Sequence, residues 1–168
     1  MSTEEIWFAD SIVSGRRFGV VLAARLAQDY QIDILSDMGY DQTDVLVGVE
    51  SNTTYNLYSG LSADTHILKL KQAASPFDFK IINLSPREAN GWAVLGEVND
   101  KWVGVSPARF QSISSDDFGL DVVLRGTPGE KVTVNFVLPS DEIVSVTCEV
   151  DDASTARIHT SGVSLVCY

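Results

Sequence analysis

Four aromatic side chains have the type and the setting to bind a sugar. Trp92 and Trp102 lie on either side of Asn99-Asp100, a pair typical of a hairpin turn, and Tyr55 and Tyr58 fall on opposite faces of a predicted strand. An exposed aromatic ring can stack on a sugar ring or take part in a protein interface. The tryptophans can instead pack against each other, because aromatic cross-strand pairs stabilise hairpins. The sequence favours packing for the tryptophans and keeps all four residues as candidate stacking residues.

Motifs for catalysis are missing from the chain. It contains no phosphate-binding loop of the form Gly-x-x-x-x-Gly-Lys-Ser/Thr, no Gly-x-Ser-x-Gly, no Cys-x-x-Cys and no His-Glu-x-x-His. His66 and His159 are isolated, and Ser161 near His159 defines no triad, because triad partners meet in space. Three aspartates in the loop 37–44 lack the ligand spacing of an EF-hand. We therefore expect a protein that is not an enzyme and holds no cofactor or metal.

A short apolar run follows the acidic start of the chain. Ile6, Trp7 and Phe8 come directly after Met-Ser-Thr-Glu-Glu. The run can be an edge strand or a plug on the core, or an arm that docks on another subunit. These three residues are the candidate partner-binding residues.

The charge balance argues against nucleic-acid and membrane partners. The 168 residues include 23 acidic and 12 basic side chains, for a net charge of -11. Such a surface repels phosphate backbones and anionic lipid. Solubility explains the charge most simply. The alternative is an acidic inhibitor that mimics nucleic acid and occupies a basic partner.

The compartment is expected to be a cell interior, or a virion if the protein is viral. The N-terminus does not have the pattern of a secretory signal, and no apolar run approaches the length of a membrane span. Only two cysteines are present, Cys148 and Cys167, both on apolar faces of predicted strands. Buried free thiols behave as small hydrophobic groups, so we expect the two to be unbonded, although a bond is possible if their strands are neighbours.

Alternation of apolar and polar residues predicts a mainly β protein. Four C-terminal runs alternate apolar and polar residues and are separated by turn residues; they cover residues 120–125, 131–138, 143–150 and 163–168. In the N-terminal part, Phe18, Leu22, Leu26 and Tyr30 recur every four residues, which predicts one amphipathic helix over residues 15–30.

The expected fold is an antiparallel β-sandwich or barrel of about ten short strands. The phrase from Leu120 to Val150, a tight turn between alternating valines, resembles the strands of immunoglobulin-like modules. A loop predicted over residues 107–117 is the best internal boundary. The chain is thus expected to be a single β-rich domain of residues 1–168, with a possible subdivision into a helix plus β-meander (1–115) and immunoglobulin-like strands (116–168).

Together these features favour a structural or interaction protein, a small acidic subunit of a larger assembly, such as a virus or phage particle. Its partners are expected to be protein subunits, either copies of itself or other chains. A carbohydrate-binding module is the first alternative, and the acidic inhibitor is the second.

Overall fold

The computed structural model describes residues 4–41, 44–51, 58–59, 66–75 and 77–168. Within these ranges the chain is all β and contains no helix, and thus none that is long and apolar enough to cross a bilayer. The strands are β1 (Glu5–Val13), β2 (Arg16–Ala24), β3 (Tyr30–Asp33), β4 (Leu46–Ser51), β5 (Tyr58–Ser59), β6 (Ile67–Leu70), β7 (Phe79–Pro86), β8 (Ala93–Gly96), β9 (Phe110–Ser115), β10 (Leu120–Arg125), β11 (Lys131–Val137), β12 (Ile143–Glu149), β13 (Thr155–Ser161) and β14 (Ser164–Cys167).

The helix predicted over residues 15–30 is wrong, because most of this segment is strand β2. Its run of apolar residues from Phe18 to Ala23 is almost wholly buried. A strand buried on both faces loses the alternation that marks strands, so its apolar residues can match a helical period by chance. Gly19 fits the strand closely, since a Cβ there would lie 2.4 Å from the Tyr40 hydroxyl.

In the described part of the chain, the strands form four antiparallel sheets. A five-stranded sheet has the order β1-β2-β7-β4-β5, and a two-stranded sheet pairs β3 with β6. The C-terminal strands form a four-stranded sheet, β14-β13-β10-β9, and a three-stranded sheet, β12-β11-β8. The alternating C-terminal runs are therefore confirmed as strands, and the mainly β, antiparallel prediction holds.

Three apolar clusters lie between these sheets. The first packs β3 and β6 on one face of the five-stranded sheet, through residues such as Ile32, Leu68 and Ile82. The second joins the other face of that sheet to the three-stranded sheet, through Val47, Leu95 and neighbours. The third and largest combines the two C-terminal sheets.

The β1–β2 hairpin contributes to the C-terminal cluster as well as to its own sheet. Val13 and Phe18 pack into the largest cluster together with residues of β9 and β10. At the hairpin turn, the Ser14 Oγ accepts the backbone N–H of Ile113 at 2.9 Å. The β1–β2 hairpin and the C-terminal sheets thus share one core.

Two local predictions in the middle of the chain are wrong. The predicted loop 107–117 contains strand β9, whose Phe110 and Ile113 are buried. The predicted hairpin at Asn99-Asp100 has no second strand, because β8 pairs with β11 and residues 101–106 form no strand.

The expectation of unbonded cysteines is also wrong. Cys148 in β12 and Cys167 in β14 form a disulfide, with their Cα atoms 5.7 Å apart. These strands are edges of two different sheets. Sheets that face each other can bring two edge cysteines within bonding reach without making their strands neighbours in one sheet.

Candidate functional site

Strand β1 is an edge strand that exposes large apolar side chains. It is nine residues long and lies at one end of the five-stranded sheet, with β2 as its neighbour. Trp7 is 61% exposed, Phe8 44% and Ile12 64%, whereas Ile6 is partly buried against the N-terminal core. Adjacent strand residues point to opposite faces, so Trp7 lies on one face and Phe8 and Ile12 on the other.

The rest of the fold holds β1 in place. Strand β1 pairs with β2 along its whole length, from Glu5 opposite Ala24 to Val13 opposite Arg16. The connecting residues Ser14 and Gly15 both have positive φ, as a two-residue hairpin turn requires. The Ser11 Oγ also donates a hydrogen bond to the carbonyl of Val105. The edge is therefore a preformed strand.

The outer edge of β1 has the chemistry for adding a further strand. Within the described residues, no strand pairs with β1 on the side away from β2. A sheet edge of this kind presents a row of N–H and C=O groups to which another strand can hydrogen-bond. Alternate side chains then decide which strand fits.

A second candidate site is a cleft of about 590 Å³ between residues 97–109 and the β10–β11 connection. Trp102 lines it and is 64% exposed. Its ring also contacts Phe79, with the centroids 6.0 Å apart and the planes tilted by 42°. The cleft thus combines an accessible aromatic ring with polar walls.

Arg109 organises the carboxylates of the cleft. Its Nε donates to Glu97 Oε2 at 3.2 Å, and its Nη1 donates to Glu130 Oε2 at 3.0 Å. A second bond from Nη2 reaches Glu130 Oε1, so the Arg109–Glu130 pair is bidentate. The hydrogen bonds from Arg109 and from the Thr127 N–H lower the pKa of Glu130 from 4.5 to about 2.

Gly126 gives this ion pair the space it needs. A Cβ at this position would lie 2.6 Å from Arg109 Nη1 and 2.7 Å from Glu130 Oε2. A side chain at this position would push the Arg109–Glu130 pair apart, so the glycine keeps the Glu130 carboxylate in this geometry.

Two further cations line the cleft, Lys101 and Arg125. Both are exposed, and neither side chain forms an ion pair or a hydrogen bond among the described residues. The ionisable side chains that line the cleft are three cations and two carboxylates. Three cations against two carboxylates leave the lining with a net charge of +1, and Lys101 and Arg125 are its cations without an ion-pair partner among the described residues.

The structure places the predicted aromatic residues in different environments. Trp92 is 1% exposed and packs edge-on against Phe136, with the ring centroids 6.3 Å apart. It does not face Trp102, so the predicted cross-hairpin tryptophan pair is wrong. Tyr55 lies outside the described residues, and of Tyr58 only the backbone, in β5, is described.

The two histidines lie near carboxylates in separate parts of the fold. His66 Nε2 is 3.7 Å from Asp33, and His159 Nδ1 is 3.6 Å from Asp121. In the part of the chain that the structure describes, no group of three or more His, Cys, Asp and Glu side chains could hold a metal. In the 37–44 loop, Asp37 and Asp44 each accept a backbone N–H of a nearby residue.

Sequence reasoning missed most of the cleft. Glu97, Arg109 and Glu130 are far apart in sequence and no motif joins them; only the fold brings them together. The one available signal was Trp102 itself, which the sequence had already marked as a candidate stacking residue.

No protein-family model matches this chain, and no significant match was found among curated proteins or solved structures.

Proposed function

We propose that the protein is a non-enzymatic interaction subunit whose β1 edge pairs with a strand of a neighbouring subunit, most simply a second copy of the chain. The observation that carries the proposal is the nine-residue edge strand with Trp7, Phe8 and Ile12 exposed along it. Natural sheets usually protect long edges with charges, proline or bulges. This edge has no proline, and its charges are already paired within the sheet.

Those pairings leave the apolar residues as the dominant feature of the edge. Asp10 pairs with Arg17 of β2, and Glu5 pairs with Arg25 just beyond it. A partner strand would therefore meet little unpaired charge on β1. It would gain backbone hydrogen bonds and burial of aromatic surface, which together drive strand addition.

We further propose that β8–β14 form a two-sheet β-sandwich. Support comes from the largest apolar cluster, which draws residues from both C-terminal sheets. Seven strands in two sheets are also the content of an immunoglobulin constant-type domain. The grouping differs at β9, since in that domain the second strand lies in the sheet opposite to the third, whereas β9 pairs with β10.

The assembly in which such a subunit acts stays a prediction from sequence, with a virus or phage particle as the favoured kind. The proposal includes neither catalysis nor nucleic-acid binding. The net charge of -11 supports the second point, because it opposes approach to phosphate backbones.

The test is the mass in solution, measured by light scattering behind a sizing column over a range of protein concentrations. We expect the wild-type chain, 18.3 kDa as a monomer, to form a defined oligomer. The double variant Phe8→Glu/Ile12→Glu should be monomeric, because buried unpaired carboxylates oppose strand addition. These side-chain variants are sharper than deletion of residues 1–10, which would remove more than half of β1 and expose β2.

The matched control is Phe118→Glu, since Phe118 is 74% exposed and lies in the β9–β10 connection, outside the five-stranded sheet. It should assemble like the wild type. A wild-type chain that is monomeric at every concentration would refute self-pairing through β1. Equal loss of assembly in both variants would show that general surface apolarity, rather than the β1 edge, drives association.

A further inference from the structure

We propose that the Trp102 cleft binds an acidic saccharide, a sugar chain that carries hexuronate carboxylates. The inference is independent of strand addition at β1. It rests on an exposed tryptophan, a fixed carboxylate–guanidinium array and two unpaired cations that line one cavity.

The aromatic part of the cleft fits a pyranose ring. Trp102 keeps 64% of its surface accessible although its ring contacts Phe79. An exposed tryptophan can cover the apolar C–H face of a sugar at little cost in conformational entropy, because the side chain has only two rotatable bonds. The contact with Phe79 restricts the ring further, which lowers the entropic cost of binding.

The polar part of the cleft fits hydroxyl groups. The Glu130 carboxylate accepts hydrogen bonds from Arg109 and from the Thr127 N–H, and about one third of its side-chain surface is still exposed. A carboxylate oxygen has more than one acceptor site, so Glu130 can also accept a hydrogen bond from a sugar hydroxyl. Arg109 is a positioning residue here, because four of its five N–H groups donate to Glu97, Glu130 and the Arg125 carbonyl.

The unpaired charge decides between neutral and acidic ligands. Lys101 and Arg125 both line the cavity and have no ion-pair partner among the described residues. Charge-assisted hydrogen bonds from such cations to a carboxylate are about twice as strong as neutral ones. The surrounding net charge of -11 disfavours densely charged polyanions at long range. A saccharide with one carboxylate per ring combines hydroxyls, an apolar face and moderate charge.

The experiment is a titration of the Trp7→Phe protein with trigalacturonate, a hyaluronan tetrasaccharide and an alginate trimer, followed by tryptophan fluorescence. This background removes the other exposed tryptophan and leaves Trp92 buried. We expect the emission of Trp102 to shift with at least one of the three acidic probes. The fully methyl-esterified form of trigalacturonate keeps the rings and removes the charge, and it should bind about tenfold more weakly than the free acid if that is the ligand.

Variants of the wild-type chain, measured by calorimetry, locate the site. Trp102→Ala should weaken binding by about tenfold or more, whereas Phe118→Ala, at an exposed aromatic residue outside the cleft, should leave it unchanged. Lys101→Gln/Arg125→Gln should remove the preference for the acid over its ester. Lys69→Gln, an exposed cation outside the cleft, is the matched control.

Several outcomes would overturn the proposal. Failure of all three acidic probes would remove saccharide binding of this class. Equal affinity for acid and ester would leave a saccharide site but refute the role of the two cations. Binding of tetraglutamate as tight as that of the best saccharide would identify an acidic-peptide surface instead. Because the β1 variants act on assembly and the cleft variants on ligand affinity, failure of one proposal leaves the other standing.

Discussion

The five-stranded sheet and the C-terminal sheets differ in whether their edge strands are linked to another strand or left exposed. Strand β1 ends its sheet with exposed Trp7, Phe8 and Ile12 and, among the described residues, no strand beyond it. The edge strands β12 and β14 of the C-terminal sheets are joined by the Cys148–Cys167 disulfide. The C-terminal region links one edge strand of each of its sheets covalently, whereas the five-stranded sheet leaves the long edge of β1 accessible.

This contrast shows which edges the fold has already protected. An unprotected edge is available for pairing with another chain, and a closed one is not. The C-terminal region also contains the largest apolar cluster, to which the β1–β2 hairpin contributes through Val13 and Phe18. We therefore expect the C-terminal region to determine stability and the β1 edge to determine association.

The largest expected effect comes from a pair of isoleucines that differ in burial. Ile158 in β13 is 0% exposed, whereas Ile12 in β1 is mostly exposed. Ile158→Ala should lower the free energy of unfolding by about 2–5 kcal/mol, because it leaves a cavity in the core. Ile12→Ala should change it by less than about 0.5 kcal/mol. Urea denaturation of dilute protein checks both, and equal losses would mean that the β1 edge is covered in solution.

The disulfide should have the next largest effect. Cys148 and Cys167 are 19 residues apart, and closing a loop of this size stabilises a fold by about 2–4 kcal/mol. The variant Cys148→Ala/Cys167→Ala should lose that amount in urea denaturation. Reductant should destabilise the wild type equally and leave the double variant unchanged. A variant as stable as the wild type would show that the two C-terminal edges are closed by packing alone.

The smallest expected effect concerns the polar contact between the β1–β2 hairpin and the C-terminal region. Arg16, at the start of β2, donates to Glu88 and to the carbonyl of Ile113 in β9. Burial alone would raise the pKa of Glu88, but hydrogen bonds from Arg16 and Ser115 outweigh it and hold the pKa below 4.5. The ionised carboxylate therefore stabilises the fold at pH values above 4.5, and this contribution is lost as the pH falls through the lowered pKa.

Glu88→Gln should accordingly cost about 1–3 kcal/mol at pH 7, because it leaves the guanidinium of Arg16 without its counter-charge. The difference from the wild type should shrink below pH 4.5 as Glu88 becomes protonated in both folded and unfolded chains. Urea denaturation across pH measures it, with the exposed Glu142→Gln as control. A difference that does not change with pH would show that the packing of the Glu88 side chain, and not its charge, stabilises the contact with Arg16.

Strands with one buried face could be predicted from sequence. In β10, which lies in the predicted run 120–125, Leu120, Val122 and Leu124 are buried and belong to the largest cluster. The opposite face carries the polar residues Asp121 and Arg125, which are not buried. Strand β2 could not be predicted, because residues of both its faces are buried in apolar clusters, which removes the alternation.

Of the two candidate sites, one could be predicted from the sequence and the other could not. The β1 edge could be anticipated, because Ile6, Trp7 and Phe8 form an apolar run beside an acidic start. The cleft could not, since its side chains come from separate stretches of the chain. Trp92 and Trp102 look alike in sequence, yet one is 1% exposed and the other 64%.

By itself, the sequence determined the antiparallel β class, the C-terminal strands and the strongly acidic surface, because alternation and charge are local or additive properties. Only the tertiary structure decided that residues 16–24 form a strand, that the two cysteines meet, and that Arg109 gathers Glu97 and Glu130 beside Trp102. These outcomes depend on which sheets face each other. That is set by packing between residues distant in sequence, which no local pattern encodes.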